Sequence, residues 1–103
     1  MMDCVFYINQ NYESNAIIGV HEINDTHTVY DLLQNFQLVY YNQLDNWTSE
    51  AFTNFTQDKN LDALIINLDF FDQTFIEEFY TIPYFIKVAG GTNITEYELF
   101  EIL

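Results

Sequence analysis

Charge is the feature that most constrains how this chain can fold. Sixteen aspartates and glutamates stand against two lysines, Lys59 and Lys87, and no arginine, which gives a net charge of −14 over 103 residues. Repulsion among so many carboxylates destabilises a compact state. Half of the residues are nonetheless apolar and 18% are aromatic, so we expect a folded domain rather than a disordered acidic tail.

The chain length fits one domain with one core. Cys4 is the only cysteine, so no internal disulfide can form and a reducing compartment is expected. The first nine residues contain Asp3 and lack the basic start of a secretory signal, and no apolar run approaches the roughly 18 residues of a membrane-spanning helix. We therefore expect a cytoplasmic protein. The charge of −14 also argues against binding to anionic membrane surfaces.

Residue patterns predict a small mixed sheet. Short runs rich in β-branched and aromatic residues predict strands over residues 3–9, 16–23, 61–68 and 84–89, the first two as a hairpin. Helical spacing and capping residues predict helices over residues 28–43, 45–57, 72–80 and 95–103. Leu32 lies on the predicted inner face of the first of these helices, Asp72 caps the third, and Thr95 and Glu98 form a capping pair at the start of the last. Pro83 ends the third helix, and Gly90-Gly91 supplies a turn. The order ββααβαβα predicts a single compact α/β or α+β domain of about four strands with helices packed against the sheet.

Catalytic motifs are missing from the sequence. It contains no glycine-rich phosphate loop, no Cys-x-x-Cys and no Gly-x-Ser-x-Gly elbow. We expect a protein that is not an enzyme and needs no cofactor. A metal site on His21 and His27, with Glu22 or Asp25, is an alternative that the sequence supports only weakly.

One segment resembles a calcium-binding loop. Asp58, Asn60 and Asp62 match the first three oxygen-ligand positions of an EF-hand loop, and Asp69 falls at the twelfth. Ala63 replaces the required glycine, and the apolar run that follows suits a strand better than a ligand loop. A small calcium-binding domain is therefore an alternative function.

The overlapping segment Asn-Leu-Asp-Ala-Leu, residues 60–64, resembles a part of the barstar family of ribonuclease inhibitors. These are small acidic α/β proteins that cover the active site of a basic nuclease. The resemblance covers five residues, and Ile65 and Ile66 are apolar where that family places an aromatic and an acidic contact residue. An immunity-type or regulatory protein that plugs one basic enzyme, such as a nuclease toxin, is therefore another alternative function.

The remaining carboxylates fall into two groups along the chain. The predicted partner-binding face consists of Asp58, Asp62, Asp69, Asp72, Glu77 and Glu78. A second acidic patch, on the predicted last helix, consists of Glu96, Glu98 and Glu101. Eight tyrosines exceed what a small core can bury with every hydroxyl satisfied, so Tyr40, Tyr41 and Tyr80 are candidate aromatic anchors, and exposed aromatics are compatible with a homodimer.

Carboxylates without interspersed cations can take the place of phosphates. Proteins that bind nucleic acid attract it through lysine and arginine, and the phosphate term dominates that affinity. The leading hypothesis is therefore a non-catalytic inhibitor that mimics DNA and fills the basic groove of a nuclease, restriction or CRISPR component, as phage anti-restriction and anti-CRISPR factors do. Such a protein would not itself bind nucleic acid. Halophilic adaptation, or an acidic domain whose charge has no role, are less specific alternatives.

Overall fold

The described residues form a five-stranded sheet with helices on both faces. The computed structural model describes residues 2–21, 30–41, 47–67, 71, 73–90 and 97–103. The elements are α1 (Met2–Asn11), β1 (Ile17–His21), a 3-10 turn (Asp31–Leu33), β2 (Gln37–Tyr41), α2 (Ser49–Asp58), β3 (Ala63–Asn67), α3 (Gln73–Tyr80), β4 (Phe85–Gly90) and β5 (Tyr97–Ile102).

The strands lie in the order β2-β1-β3-β5-β4. β1 pairs in parallel with both β2 and β3, whereas β5 lies antiparallel between β3 and β4. The sheet is therefore mixed, and the single α+β domain that the sequence predicts is confirmed, with five strands among the described residues in place of about four.

Each face of the sheet buries its own core. On one face, α1 and the 3-10 turn cover mainly aliphatic side chains, among them Val5, Ile8, Ile18, Leu33, Ile65 and Leu99. On the other face, α2 and α3 cover an aromatic cluster that includes Tyr41, Phe52, Phe75, Phe79, Phe85 and Phe100. Phe52 lies at its centre and is fully buried, 5.6 Å from Phe75 and 6.3 Å from Phe79 between ring centroids. Burial of each such side chain contributes about 1.5–3 kcal/mol, which opposes the repulsion of the carboxylates.

Five predicted elements are confirmed where local pattern and packing agree. β1 and β4 lie largely within their predicted ranges, and all five residues of β3 are buried in the middle of the sheet. α2 begins after Thr48, whose hydroxyl accepts a hydrogen bond from the Ala51 N–H at 3.1 Å. α3 ends at Tyr80, shortly before Pro83, as predicted, while Asp72, its predicted cap, lies outside the described residues.

The predicted first strand is wrong, because residues 2–11 form helix α1. Residues 4–8 are rich in β-formers, but Cys4, Val5 and Ile8 are spaced as one face of a helix and are buried on the sheet. The predicted hairpin is wrong for the same reason. β1 takes both of its partners from later in the chain.

The predicted helix over residues 28–43 is also wrong. Within it the described residues form the 3-10 turn, a bend and strand β2, and Leu32, assigned to the inner face of that helix, is 54% exposed. β2 gains five paired residues against β1, and the Tyr41 hydroxyl donates to the Ile65 carbonyl at 2.7 Å. These long-range bonds outweigh the local helical spacing.

The last predicted helix is wrong as well, because residues 97–102 form β5. Glu98, Leu99 and Phe100 are consecutive and all buried, which a strand between two helix layers achieves by directing alternate side chains to opposite faces. A helix of this length would expose at least one of the three. Thr95, the predicted capping partner of Glu98, lies outside the described residues.

Candidate functional site: an acidic cleft at one end of the sheet

Ten of the sixteen acidic residues lie in the described part of the chain. Eight of these side chains are exposed: Asp3, Glu13, Asp31, Glu50, Asp58, Asp62, Glu77 and Glu78. Glu101 is half-buried and Glu98 is buried. Six acids lie outside the described residues: Glu22, Asp25, Asp45, Asp69, Asp72 and Glu96.

The predicted partner-binding face does not form one cluster. Asp58 is the last residue of α2, while Glu78 accepts a hydrogen bond from the hydroxyl of Ser49, the first residue of that helix, at 3.1 Å. The two carboxylates therefore lie near opposite ends of a ten-residue helix, which spans about 15 Å. Glu77 accompanies Glu78 on α3, and Asp62 lies at the end where β3 begins.

The second predicted patch is divided by the strand that carries it. Glu98 is 2% exposed, and its carboxylate lies 3.0 Å from the Lys87 ammonium. The Tyr80 hydroxyl donates to both carboxylate oxygens of Glu98, at 2.6 Å to Oε1. Burial raises the pKa of Tyr80, and the hydrogen bond to Glu98 and the charge of that carboxylate raise it further. Glu98 is thus a structural residue and is not available to a partner.

The three predicted aromatic anchors also differ from one another. Tyr41 is 2% exposed and uses its hydroxyl inside the core, so its assignment as an anchor is wrong. Tyr80 is 48% exposed although its hydroxyl is bonded to Glu98. Tyr40, on β2, is 43% exposed and therefore remains an anchor candidate.

The structure instead assembles an acidic cleft of about 440 Å³ where α1 leads into β1. Its lining comes from three separate segments: Asn11, Tyr12, Glu13, Ser14, Asn15, Ala16, Asp62 and Glu101. We call this the acidic cleft. It joins one residue of each predicted acidic group with Glu13, which sequence reasoning did not select.

Tight backbone turns build the acidic cleft. The Ala16 N–H bonds the Glu13 carbonyl at 3.1 Å, and Asn15 adopts φ 80, a left-handed conformation that asparagine tolerates better than most residues. Asp62 is fixed by two contacts with Ile17: its Oδ2 accepts from the Ile17 N–H at 2.8 Å, and its own N–H donates to the Ile17 carbonyl at 2.7 Å. The cleft is therefore held by the backbone of β1 and by the residue before β3.

Tyr12 brings a phenol into the acidic cleft. Its hydroxyl oxygen is buried and has no hydrogen-bond partner among the described residues. Burial raises the pKa of Tyr12, and the nearby Glu101, Tyr7 and Asp62 raise it further. The phenol stays protonated at neutral pH, so the cleft offers three carboxylates as acceptors beside a neutral hydroxyl. Such a set favours an ammonium or guanidinium group.

The metal-binding alternatives gain no support from the geometry. Among the described residues, no group of three or more His, Cys, Asp and Glu side chains is placed to hold a metal ion. The EF-hand-like segment does not form a ligand loop, because Asp58 ends α2 and residues 63–67 are a buried strand. His21 is fully buried, 5.1 Å from Tyr41 between ring centroids, and burial lowers its pKa to about 4. His27, its predicted partner, lies outside the described residues.

Comparisons with protein-family models, with curated proteins and with solved structures found no match to this chain. None of the described helices is long and apolar enough to cross a membrane. Function is therefore inferred from the chemistry of the molecular surface.

Sequence reasoning missed Tyr12 and Glu13 because they lie in a polar stretch between two elements. Their position next to Asp62 and Glu101 depends on the pairing of β3 with both β1 and β5, which brings residues about 50 and 90 positions away along the chain into one cleft. Asn15 adopts a left-handed conformation in the cleft, and asparagine is a residue type that favours such turns. Asparagine is too common in this chain, however, for Asn15 to mark the site in the sequence.

Proposed function

We propose that the protein is a non-catalytic inhibitor that mimics nucleic acid and occupies the basic groove of a DNA- or RNA-binding protein. The target class is a nuclease or a restriction or CRISPR component. The setting is the cytosol of a host cell in which a phage or mobile element counters a defence system. The protein does not bind nucleic acid itself, because its surface would repel phosphates.

The observation that supports this proposal is the near absence of cations on the described surface. Lys87 is engaged by buried Glu98, which leaves Lys59, at the end of α2, as the other lysine among eight exposed carboxylates. A field of one sign steers a basic partner toward the molecule and raises its association rate. The described carboxylates lie on both helix layers, so we expect a broad electrostatic surface rather than a narrow stripe.

Salt and competing DNA test the proposal together. Immobilised protein is incubated with a nuclease-treated host lysate at low salt, and the captured proteins are eluted by a salt gradient or by duplex DNA. We expect captured proteins whose own DNA or RNA binding is blocked, with affinity falling about 10³-fold or more between 50 and 200 mM salt for about six to ten ionic contacts. Affinity that does not change with salt, or a target that DNA does not displace, would reject mimicry.

The acidic cleft favours a second candidate, an immunity-type protein that plugs the active site of one basic enzyme such as a nuclease toxin. A concave site with Glu13, Asp62 and Glu101 is suited to a single protruding lysine or arginine, which shape as well as charge would select. A plug would inhibit catalysis of its target and leave DNA binding elsewhere on that enzyme intact.

Paired charge reversals separate the two candidates. The double variant Glu13→Lys/Glu101→Lys changes the cleft, and Asp3→Lys/Glu50→Lys makes the same change of charge on α1 and α2. A mimic that depends on total field loses similar affinity in both variants. A plug loses at least tenfold more affinity in the cleft variant than in its control.

A further inference from the structure

The two edges of the sheet are built differently. β4 carries Lys87, a register shift between Lys87 and Ala89, and Gly90 at φ 80, all of which disfavour the addition of another strand. β2 has no charged residue and no proline, and it pairs with β1 over five residues without a shift. Among the described strands β1 is its only neighbour. β2 therefore lacks the protection that β4 has.

The outward backbone groups of β2 can be assigned. The Gln37 N–H donates to the Ala16 carbonyl at 3.0 Å, so Gln37 faces β1. Backbone direction alternates along a strand, and Val39 and Tyr41 therefore also face β1 while Leu38 and Tyr40 direct their N–H and C=O groups away from the sheet. No backbone hydrogen bond between described residues uses these four outward groups.

On each face of the sheet, the element that contacts β2 carries an exposed carboxylate. On one face, Tyr30 packs against Tyr40 with ring centroids 6.1 Å apart, and exposed Asp31 follows Tyr30 directly. On the other face, Phe55 of α2 lies 6.3 Å from Tyr41, and exposed Asp58 is three residues further along the same side of that helix. The opposite side of α2 faces α3, as the bond from Ser49 to Glu78 shows.

We propose that β2 is the docking strand for an extended segment of a basic partner protein, which adds to the sheet as a sixth strand. Leu38 and Tyr40 supply its backbone hydrogen bonds, and its lysines and arginines face Asp31 and Asp58. Charge selects this occupant over a second copy, because another chain of −14 would bring its own carboxylates to the same edge. Tyr40, 43% exposed, supplies contact area.

This inference rests on the proposed function for the basic character of the target, and it adds how the target is held. Backbone pairing fixes orientation, which a diffuse electrostatic field does not. The two can fail separately. If DNA displaces the target and the target binds Tyr40→Pro as tightly as the unchanged protein, mimicry is retained and strand addition is rejected. If the target binds by strand pairing and DNA does not displace it, strand addition is retained and mimicry is rejected.

The test uses a defined peptide. The probe is a nine-residue peptide of alternating lysine and valine, and its control is the same peptide N-methylated at its three central residues, which blocks both of its hydrogen-bonding edges. Binding to ¹⁵N-labelled protein is followed by NMR at about physiological salt. We expect the largest shifts at the amides of Leu38 and Tyr40, and at least tenfold weaker binding of the methylated peptide.

Protein variants complete the test. Tyr40→Pro removes the outward N–H and should weaken the unmodified peptide at least tenfold, whereas Tyr40→Ala keeps the N–H and should weaken it only a few-fold. The NMR spectrum reports whether each variant is folded, and the peptide pair decides the question if the proline variant is not. Equal binding of both peptides, or no shift at Leu38 and Tyr40 with millimolar peptide, overturns the proposal. So does concentration-dependent dimerisation that protects those two amides, because the occupant is then a second copy.

Discussion

Glu98 and Glu101 lie three residues apart on β5, yet their surroundings are opposite. Glu98 points toward α3, where it is buried and bound by both Tyr80 and Lys87. Glu101 points to the other face and lines the acidic cleft with Asp62 and Tyr12. Each carboxylate thus has a tyrosine nearby. Glu98 is bound by the Tyr80 hydroxyl and by the Lys87 ammonium, whereas Glu101 lines the cleft beside Tyr12 without a cation among the described residues.

The difference shows how this chain tolerates its charge. A carboxylate that is removed from water must be paired, because an unpaired buried charge costs several kcal/mol. One of the two lysines is spent on that task. Carboxylates that remain in water need no partner for the fold, so they are left for an external one. The comparison predicts that the Glu98 group governs stability and the cleft governs binding.

The largest expected effect on stability is at Glu98. Glu98→Ala removes the acceptor for Tyr80 and Lys87 and leaves a small cavity, and we expect the free energy of unfolding to fall by about 3 kcal/mol. The matched variant Glu101→Ala should change it by no more than about 0.5 kcal/mol. Urea unfolding of both variants measures the difference. Similar losses in the two would break the comparison.

His21 is also buried, so we expect acid to lower the stability of the fold through this residue. Burial lowers the pKa of His21 to about 4, below the ordinary value of about 6.5, so the unfolded chain binds a proton more readily. Stability from this group is complete above the ordinary pKa and is lost as the pH falls toward 4. We expect a loss of about 2 kcal/mol between pH 7 and pH 5. The variant His21→Leu should not show that loss, and an unchanged slope would contradict the assignment.

How far the sequence predicts this fold depends on whether an element is specified locally. The apolar spacing of α2 and the short apolar run of β3 predict those elements correctly. β5 has a capping pattern typical of a helix, but the space between β3 and β4 requires a strand. Residues 4–8 are the opposite case: they are β-formers by residue type but form a helix. Their apolar residues are spaced so that one face of that helix is buried against the sheet. Only long-range pairing decides such cases.

The candidate site was predictable to a smaller extent. The sequence identifies acidic character and predicts both Asp62 and Glu101 as site residues, but in different groups. It could not show that Glu98 is buried, because a glutamate in an acidic chain is expected at the surface. Nor could it bring Tyr12 and Glu13 to the same cleft, since their neighbours Asp62 and Glu101 come from distant parts of the chain.

A smaller effect separates the two tyrosines. Tyr80→Phe removes a hydrogen bond to a buried carboxylate, and we expect a loss of about 1–2 kcal/mol in the free energy of unfolding. Tyr12→Phe removes a buried hydroxyl without a partner among the described residues, so its effect should be near zero or stabilising. Thermal and urea unfolding compare the variants. Loss of stability in Tyr12→Phe equal to that in Tyr80→Phe would mean that the cleft is closed in solution.

The smallest expected effect is that of salt on stability. Raising the ionic strength from about 10 to 150 mM shortens the screening length from about 30 to 8 Å, which weakens repulsion between surface carboxylates more than it weakens a buried pair. We expect the free energy of unfolding to rise by less than about 1 kcal/mol, and Glu101→Gln, which removes one repelling charge from the cleft, to reduce that slope. Lys87→Met should do the opposite, because Glu98 then joins the uncompensated charges. Because the sign of each change is fixed by which carboxylate has a cation, a steeper slope in Glu101→Gln would show that the cleft already holds its own positive partner.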